Sequence, residues 1–145
     1  MTRSIDMFTT KALRRTLFAT AVGLFSLPSV ASDLDTPTVA DTLAELQQRW
    51  AEIQYALPQE QQEAALSQLG DYADQWVERY PEAAELHIWA GIVRSSEAGA
   101  NGGLGALGLV KEAKREFETA LELDPLALEG SAYTSLGALY YQVPG

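Results

Sequence analysis

Apolar residues recur through most of this chain at intervals of three or four positions, in runs that end at proline or at glycine. Such intervals place the residues on one face of an α-helix, and no segment alternates with the period of two that marks a half-buried strand. The pattern therefore predicts five helices and no sheet. The five stripes are Val39, Leu43, Leu46, Trp50, Ile53 and Leu57; Ala65, Leu69, Tyr72, Trp76 and Tyr80; Leu86, Trp89, Ala90 and Val93; Leu109, Ala113, Phe117, Ala120 and Leu121; and Ala132, Leu136, Leu139 and Tyr140.

Prolines mark where most of these helices end, because the residue before a proline is pushed out of the helical region. At the start of the first stripe, Thr36 can cap a helix and Pro37 suits its first turn. We expect an N-terminal helix within residues 32–58 and the remaining helices within 59–145. The helix-ending prolines are Pro58, Pro81, Pro125 and Pro144.

The first 31 residues have the order of a secretory signal peptide. A basic region with Arg14 and Arg15 precedes an apolar run, and small residues at Ser29 and Ala31 suit cleavage after Ala31. The apolar run is about 14 residues long and a membrane span needs about 20, so a cleaved signal is favoured over a transmembrane anchor. The leader is bacterial in type and predicts a periplasmic chain, free of the membrane after cleavage. The absence of cysteine argues against disulfides and a lipid-anchored N-terminus.

The charge of the chain is strongly acidic. It contains 10 Lys and Arg and 20 Asp and Glu residues, a net charge of −10 at pH 7. Loss of the leader would remove four basic residues and one acidic residue, which leaves a net charge of −13. Such a surface repels nucleic acid and anionic lipid and favours neutral or cationic partners. Nucleic-acid binding is therefore set aside as a function.

A glycine-rich segment separates the third and fourth stripes. Within GGLGALGLVK, residues 103–108 match G-x-G-x-x-G, the fingerprint of a dinucleotide-binding loop. That loop must follow a strand and open a helix, whereas a helix precedes this one. We therefore expect a flexible connection between helices over residues 98–108, with Gly105 or Gly108 at the start of the next helix.

The fourth stripe carries a more specific pattern. In KEAKREFETALELDP, residues 111–125, the spacing of Ala113, Phe117, Ala120 and Pro125 is four, three and five. Small alanines let neighbouring helices approach closely, the phenylalanine fills the gap and the proline stops the helix. This is the second-helix pattern of a tetratricopeptide repeat. The first helix of the repeat also has characteristic positions. In the third stripe Gly91 occupies one of them, and in the fifth stripe they are occupied by Tyr133, Leu136, Gly137 and Tyr140.

On these residues the chain resembles the tetratricopeptide-repeat superfamily over residues 65–143, most specifically over 111–140. It is also similar to secreted bacterial members akin to the T component of TRAP-type solute transporters. The resemblance implies antiparallel helix pairs in a short right-handed solenoid. It departs from the family between Gly91 and Ala113, which are 22 residues apart where about a dozen are expected, so that 98–108 is read as an insertion.

The resemblance also implies a binding surface. In these arrays the first helix of each pair lines a concave groove, and the insertion is a second candidate, since long insertions in helical units are often functional. Most helix-surface residues are nevertheless passive. The groove positions given by the register are Glu85, Ile88, Ile92, Ser95, Ser131, Thr134, Ala138 and Tyr141.

Residues able to carry catalysis are few. His87 is the only histidine, and Ser95 with Glu85 could complete a hydrolytic triad. His87 and Ser95 are eight residues apart, about 12 Å along one helix, which is too far for a hydrogen bond. A single histidine without cysteine argues against a zinc site. We expect no enzyme activity and no catalytic, cofactor or metal site.

The remaining prominent side chains are given structural roles. The charged residues over 111–122 are read as a solvated helix face in which Lys114 and Glu118 pair. The tryptophans Trp50 and Trp76 are expected in the core. Packing between repeats is expected for Tyr133 and Tyr140.

These observations predict a non-catalytic periplasmic protein that acts as a protein–protein interaction scaffold. The alternative, which the T-component resemblance implies, is a small-ligand-binding subunit associated with a solute transporter. The fifth helix has an apolar side with Leu136 and no following helix to cover it. A partner protein or peptide, a second copy of the chain, or further helices of a longer array are the expected ways to cover it.

Overall fold

A computed structural model of the chain describes residues 36–142. The predicted signal peptide, with its cleavage after Ala31, and residues 143–145 lie outside this part. All regular structure in the described part is helical, which confirms the prediction of an all-α, repeat-like chain of five helices. Within residues 36–142, no helix is both long and apolar enough to cross a membrane. The helices are α1 (Val39–Ala56), α2 (Gln59–Arg79), α3 (Ala84–Asn101), α4 (Ala106–Leu123) and α5 (Ala127–Gln142).

The five helices form two layers. In one layer α1 contacts α3 and α3 contacts α5, while α2 packs on α1 and α3, and α4 packs on α3 and α5. Among the described residues α2 and α4 do not contact each other. This alternation makes α3 the central helix, with all four other helices packed against it.

The first helix begins two residues later than the sequence predicts. Thr38, not Thr36, is the N-cap: its hydroxyl accepts from the Asp41 backbone N–H at 3.1 Å, and the Asp41 carboxylate accepts from the Thr38 N–H at 3.1 Å. This reciprocal pair satisfies two otherwise unpaired donors. Thr38 is favoured because an acidic residue stands three positions after it, whereas Val39 stands three positions after Thr36.

Apolar side chains pack in two main regions on either side of α3. Trp50 and Trp76, predicted as core residues, are only partly buried at the edge of the first region. Fully buried residues of the first region include Leu46, Leu66, Leu69, Leu86 and Val93, and those of the second include Ala113, Phe117 and Ala120.

The close approach of α3 and α4 depends on a glycine. A Cβ built on Gly91 would lie 2.6 Å from a ring carbon of Phe117, closer than real Cβ contacts allow. Ala113 and Ala120, one turn to either side of Phe117, are fully buried. The packing role predicted for these residues is therefore the one they have in the structure.

The glycine-rich connection is shorter than its composition predicts. α3 continues through Gly99 to Asn101 and α4 begins at Ala106, so only residues 102–105 form the turn of the segment predicted at 98–108. Gly102 and Gly103 have φ of 67° and 59°, which other residues rarely adopt. The extra residues lengthen both helices because intrahelical hydrogen bonds outweigh the modest cost of a glycine in a helix. Gly105 is the residue that precedes α4.

The first residues of α5 form a left-handed turn. Leu128, Glu129 and Gly130 have φ of 46°, 58° and 76°, so regular right-handed helix begins only after Gly130. Non-glycine residues in this region cost about 1–3 kcal/mol each.

The outer side of α5 is uncovered in the described part of the chain. Tyr133 and Tyr140, predicted to pack between repeats, are both more than half exposed, because no helix follows α5 there. The predicted uncovered face is thus present, with Tyr141 beside it almost fully exposed.

Candidate binding groove

Two adjoining clefts run along α3 on the side of α1 and α5. We call the first the apolar cleft; it has a volume of about 150 Å³ and lies between α3 and α5. We call the second the glutamine cleft; it has a volume of about 380 Å³ and lies among α1, α2 and the C-terminal end of α3. Both include Ser95 and Ser96, and together they form what we call the groove. The apolar cleft is lined by Ile92, Ser95, Ser96, Phe117, Ser135, Ala138 and Leu139, and the glutamine cleft by Gln54, Gln59, Gln62, Ser95, Ser96, Gly99 and Ala100.

The two serines at the junction are held by the helix that carries them. The Ser95 hydroxyl donates to the Gly91 carbonyl at 2.8 Å, and the Ser96 hydroxyl donates to the Ile92 carbonyl at 2.9 Å. Trp50 Nε1 donates to Ser96 Oγ at 2.8 Å and so ties α1 to α3. Each hydroxyl uses its one proton internally, which leaves Ser95 Oγ to act toward a ligand as an acceptor.

The floor of the apolar cleft is closely packed. Phe117 and Leu139 are almost fully buried, and the Phe117 ring lies against Gly91 with no space for another atom. A side chain that enters this cleft therefore meets preformed apolar surface. Burying an aliphatic side chain in such a site contributes about 1.5–3 kcal/mol.

Amide groups distinguish the glutamine cleft. Gln62 Nε2 donates to the carbonyls of Gln54 and Leu57 at 3.4 and 3.1 Å, which satisfies acceptors at the C-terminal end of α1. A carboxamide combines N–H donors with a carbonyl acceptor, the two kinds of group through which a peptide backbone also forms hydrogen bonds. Gln54 and Gln59 extend this chemistry along the cleft.

The groove is uncharged in an otherwise acidic chain. Neither lining, as formed by the described residues, includes an Asp, Glu, Lys or Arg side chain, although 20 acidic residues stand in the sequence. A charged ligand would lose hydration there without gaining a partner. The groove therefore suits neutral ligands.

Three of the eight groove residues predicted from the sequence line the apolar cleft, namely Ile92, Ser95 and Ala138. Ile88 is instead fully buried in the core beside Ala120. The left-handed turn before Ser131 sets the rotation of α5 about its own axis. The predicted positions were counted from the repeat pattern, which does not contain such a turn. The predicted residues that line neither cleft are Glu85, Ile88, Ser131, Thr134 and Tyr141.

Most residues of the groove were not predicted from the sequence. Ser135 and Leu139 lie three positions before and one after Ala138, so a correct rotation of α5 would have found them. The glutamines flank Pro58, at the end of α1 and in the first turns of α2, and no local sequence pattern marks them as a site. Gly99 and Ala100 line the glutamine cleft and belong to the segment 98–108, the second candidate surface predicted from the sequence. Residues lining the groove that were not predicted are Gln54, Gln59, Gln62, Ser96, Phe117, Ser135 and Leu139.

His87 takes part in a buried ion pair away from the groove. Its Nδ1 lies 2.7 Å from Glu116 Oε2 and its Nε2 lies 2.9 Å from the Pro81 carbonyl. Both partners are acceptors, so both ring nitrogens donate and the ring is an imidazolium. Ser95 is engaged with Gly91, and the triad considered from the sequence is not assembled.

The charged segment over 111–122 is not uniformly solvated. Lys114 and Glu118 pair on the surface as predicted, but Glu116 is buried against His87. The partner of Glu116, His87, lies 29 residues away on another helix. A local pattern of charges cannot indicate such a distant partner. The prediction of a solvated face is therefore wrong at Glu116.

Protonation of the pair follows from its contacts. The hydrogen bond to Glu116 raises the pKa of His87 above its ordinary value of 6.5, against the opposing effect of burial. Burial works to raise the pKa of Glu116, but hydrogen bonds from His87 and Arg115 outweigh it and hold that pKa below 4.5. Both groups are therefore charged in the folded chain between these two values.

This pair predicts a pH dependence of stability. The contribution of His87 to the free energy of unfolding is complete below pH 6.5 and is lost as the pH rises through its raised pKa. The contribution of Glu116 is complete above pH 4.5 and is lost as the pH falls through its lowered pKa. We expect His87→Gln to lower the free energy of unfolding by about 1.5–3 kcal/mol between pH 4.5 and 6.5, and by less as the pH rises through the raised pKa of His87. Urea unfolding from pH 5 to 9 measures this, with Glu118→Gln as a surface control. A His87→Gln cost that is constant with pH would contradict a charged pair.

A second ion cluster joins α2, α3 and α4. Buried Arg94 donates to Glu97 at 2.7 Å, to Asp71 at 3.0 Å and to Asp74, and its Nε lies 3.7 Å from Glu112 without a hydrogen bond. Burial works to lower the pKa of Arg94, but the hydrogen bonds to Asp74, Glu97 and Asp71 outweigh it and raise that pKa. The guanidinium is thus a permanent cation that connects three helices.

Comparison with known proteins gives no relative: no protein-family model, curated protein or solved structure matches this chain. Within residues 36–142, no group of three or more His, Asp or Glu side chains is arranged to hold a metal ion. The function is therefore inferred from the groove.

Proposed function

We propose that this chain is a non-catalytic, tetratricopeptide-type protein of the periplasm that binds an uncharged polypeptide segment in the groove. The observation that carries the proposal is an uncharged groove, apolar at one end and amide-lined at the other, in a chain of net charge −10. The periplasmic location rests on the leader, and the repeat class rests on the spacing of Ala113, Phe117, Ala120 and Pro125.

The two clefts suit different parts of a peptide. An aliphatic side chain enters the apolar cleft between Ile92 and Leu139, while backbone amides beside it reach the carboxamides of the glutamine cleft. Acidic segments are repelled by the net charge of the chain, and basic segments find no carboxylate in the groove lining. An uncharged segment with one aliphatic anchor is the best match.

Within the groove, the small-ligand alternative is less well supported. Pockets for small molecules have volumes of about 300–1,000 Å³ and are mainly apolar. The apolar cleft is smaller, at about 150 Å³, and the larger cleft is lined mainly by polar groups and glycine. A polypeptide can use both clefts at once.

The proposal is tested with a displayed library of decapeptides that lack charged residues, followed by fluorescence anisotropy of selected peptides. We expect Ala138→Glu to weaken binding at least about tenfold, because it places a charge beside the apolar anchor. Ala138 is exposed, so the melting temperature should not change. Thr134→Glu, one turn away on α5 and outside both clefts, is the matched control.

Two results would count against this function. One is a set of selected peptides whose affinity is the same for the wild type, Ala138→Glu and Thr134→Glu. The other is a stronger preference for peptides in which the uncharged residues are replaced by Lys or Glu.

A further inference from the structure

The turn between α3 and α4 exposes apolar residues without any nearby charge in the sequence. We call residues 102–107 the tip; it lies within the stretch 98–110, which contains no charged residue. Leu104 is 88% exposed and Leu107 is 47% exposed. The tip thus offers two aliphatic side chains, carried by a backbone that is exposed at Gly102 to Gly105.

The tip cannot reach the apolar cleft of its own chain. Leu104 follows Ser95 by nine residues, and the six up to Asn101 are helical, which places the tip at least about 9 Å beyond Ser95 along α3. Asn101 Nδ2 also donates to Glu63 Oε1 at 2.8 Å and holds this end of α3 against α2. A tip that occupies the apolar cleft must therefore come from another molecule.

We propose that the tip of one copy of this chain occupies the groove of a second copy. This inference rests on the proposed function, since it names the polypeptide that fills the groove. Leu104 supplies the aliphatic anchor for the apolar cleft, and the glycine backbone beside it supplies amides for the glutamine cleft.

Charge favours this occupant. Two copies with a net charge of −10 repel each other, and an uncharged tip meeting an uncharged groove adds no like charges to the contact. Tip and groove are different surfaces, so the contact is heterologous. Such contacts continue into rings or open chains of molecules, whereas a two-fold contact would stop at a dimer.

The test is sedimentation velocity of the full chain over concentrations of about 1 µM to 1 mM. The wild type is expected to form species larger than a dimer as its concentration rises. Leu104→Asp removes the tip anchor, Ala138→Glu blocks the groove, and each alone is expected to sediment as a monomer. An equimolar mixture of the two is expected to form dimers only, because one working tip and one working groove remain. Leu126→Asp, at a leucine that is 77% exposed outside the tip, is expected to assemble like the wild type.

Several outcomes would overturn the proposal: a wild type that stays monomeric throughout, Leu104→Asp that assembles like the wild type, or a mixture that stays monomeric. Flotation of a monomeric chain with phosphatidylcholine vesicles that is abolished by Leu104→Asp would assign the tip to a lipid surface instead. The proposed function fails separately. A monomeric chain that still binds uncharged peptides through Ala138 keeps the groove function, and only the second copy is then wrong.

Discussion

Replacing Phe117 with alanine is expected to lower the free energy of unfolding by about 3–5 kcal/mol, since the ring is almost fully buried and the space it leaves cannot collapse. The ring fills the gap between α3 and α4 and also forms the floor of the apolar cleft. Urea unfolding at constant pH measures the loss. Phe117→Leu, which retains most of the apolar volume, should cost clearly less.

The contact between Phe117 and Gly91 allows a sharper form of this test. Gly91→Ala places a methyl group against the ring and should cost about 1–3 kcal/mol by overpacking. When Phe117 is already alanine, the same methyl enters free space, so the two changes should cost less together than their sum. Strict additivity would show that the two residues are not in contact.

Replacing Arg94 with methionine is expected to lower the free energy of unfolding by about 3–5 kcal/mol near pH 7, because buried Glu97 loses its partner. The carboxylates of Asp71 and Asp74 would then face each other without a cation between them. Urea unfolding again measures the change. An Arg94→Met chain of wild-type stability would mean that the cluster contributes nothing.

A double variant separates the ion pair from the packing of its side chains. Arg94→Met combined with Glu97→Met removes both buried charges, and well-packed apolar replacements of such pairs are often close to neutral. We therefore expect the second change to recover much of the stability lost by the first. Gly70→Ala provides an independent check, since a Cβ there would occupy the position of the Arg94 guanidinium. It should destabilise the wild type more than the Arg94→Met chain.

The helices of this protein could be read from the sequence because their determinants are local. Apolar spacing defines the buried face, and Pro58, Pro81 and Pro125 stop the helices through backbone sterics that need no tertiary contact. The packing of Phe117 against a small residue could also be predicted from the sequence, since a fixed spacing of small and large residues leaves few ways for two helices to pack. The N-cap was misplaced by two residues, because two nearby threonines can both cap a helix and Asp41 selects between them.

The groove was found only in part, for reasons that lie between helices rather than within them. Ile88 and Ile92 stand on the same helix one turn apart, yet Ile88 is buried in the core and Ile92 lines the apolar cleft, because the positions of α4 and α5 decide which turn stays open. The left-handed turn at Leu128 to Gly130 then sets the rotation of α5. The apolar stripe of a single helix therefore indicates neither which turn of α3 stays open nor how α5 is rotated.

The burial of charge shows the same division. Composition alone establishes that the chain is acidic, and because net charge acts at long range this predicts repulsion of nucleic acid and anionic lipid. Two of the buried charges have partners 20 or more residues away, Arg94 with Asp74 and His87 with Glu116, so their burial depends on the packing of helices. The sequence by itself thus determines the helices, where most of them end, and the overall charge. The packing of the other helices around α3 determines which charged side chains form buried pairs. The same packing gives the groove its uncharged lining, on which the proposed function depends.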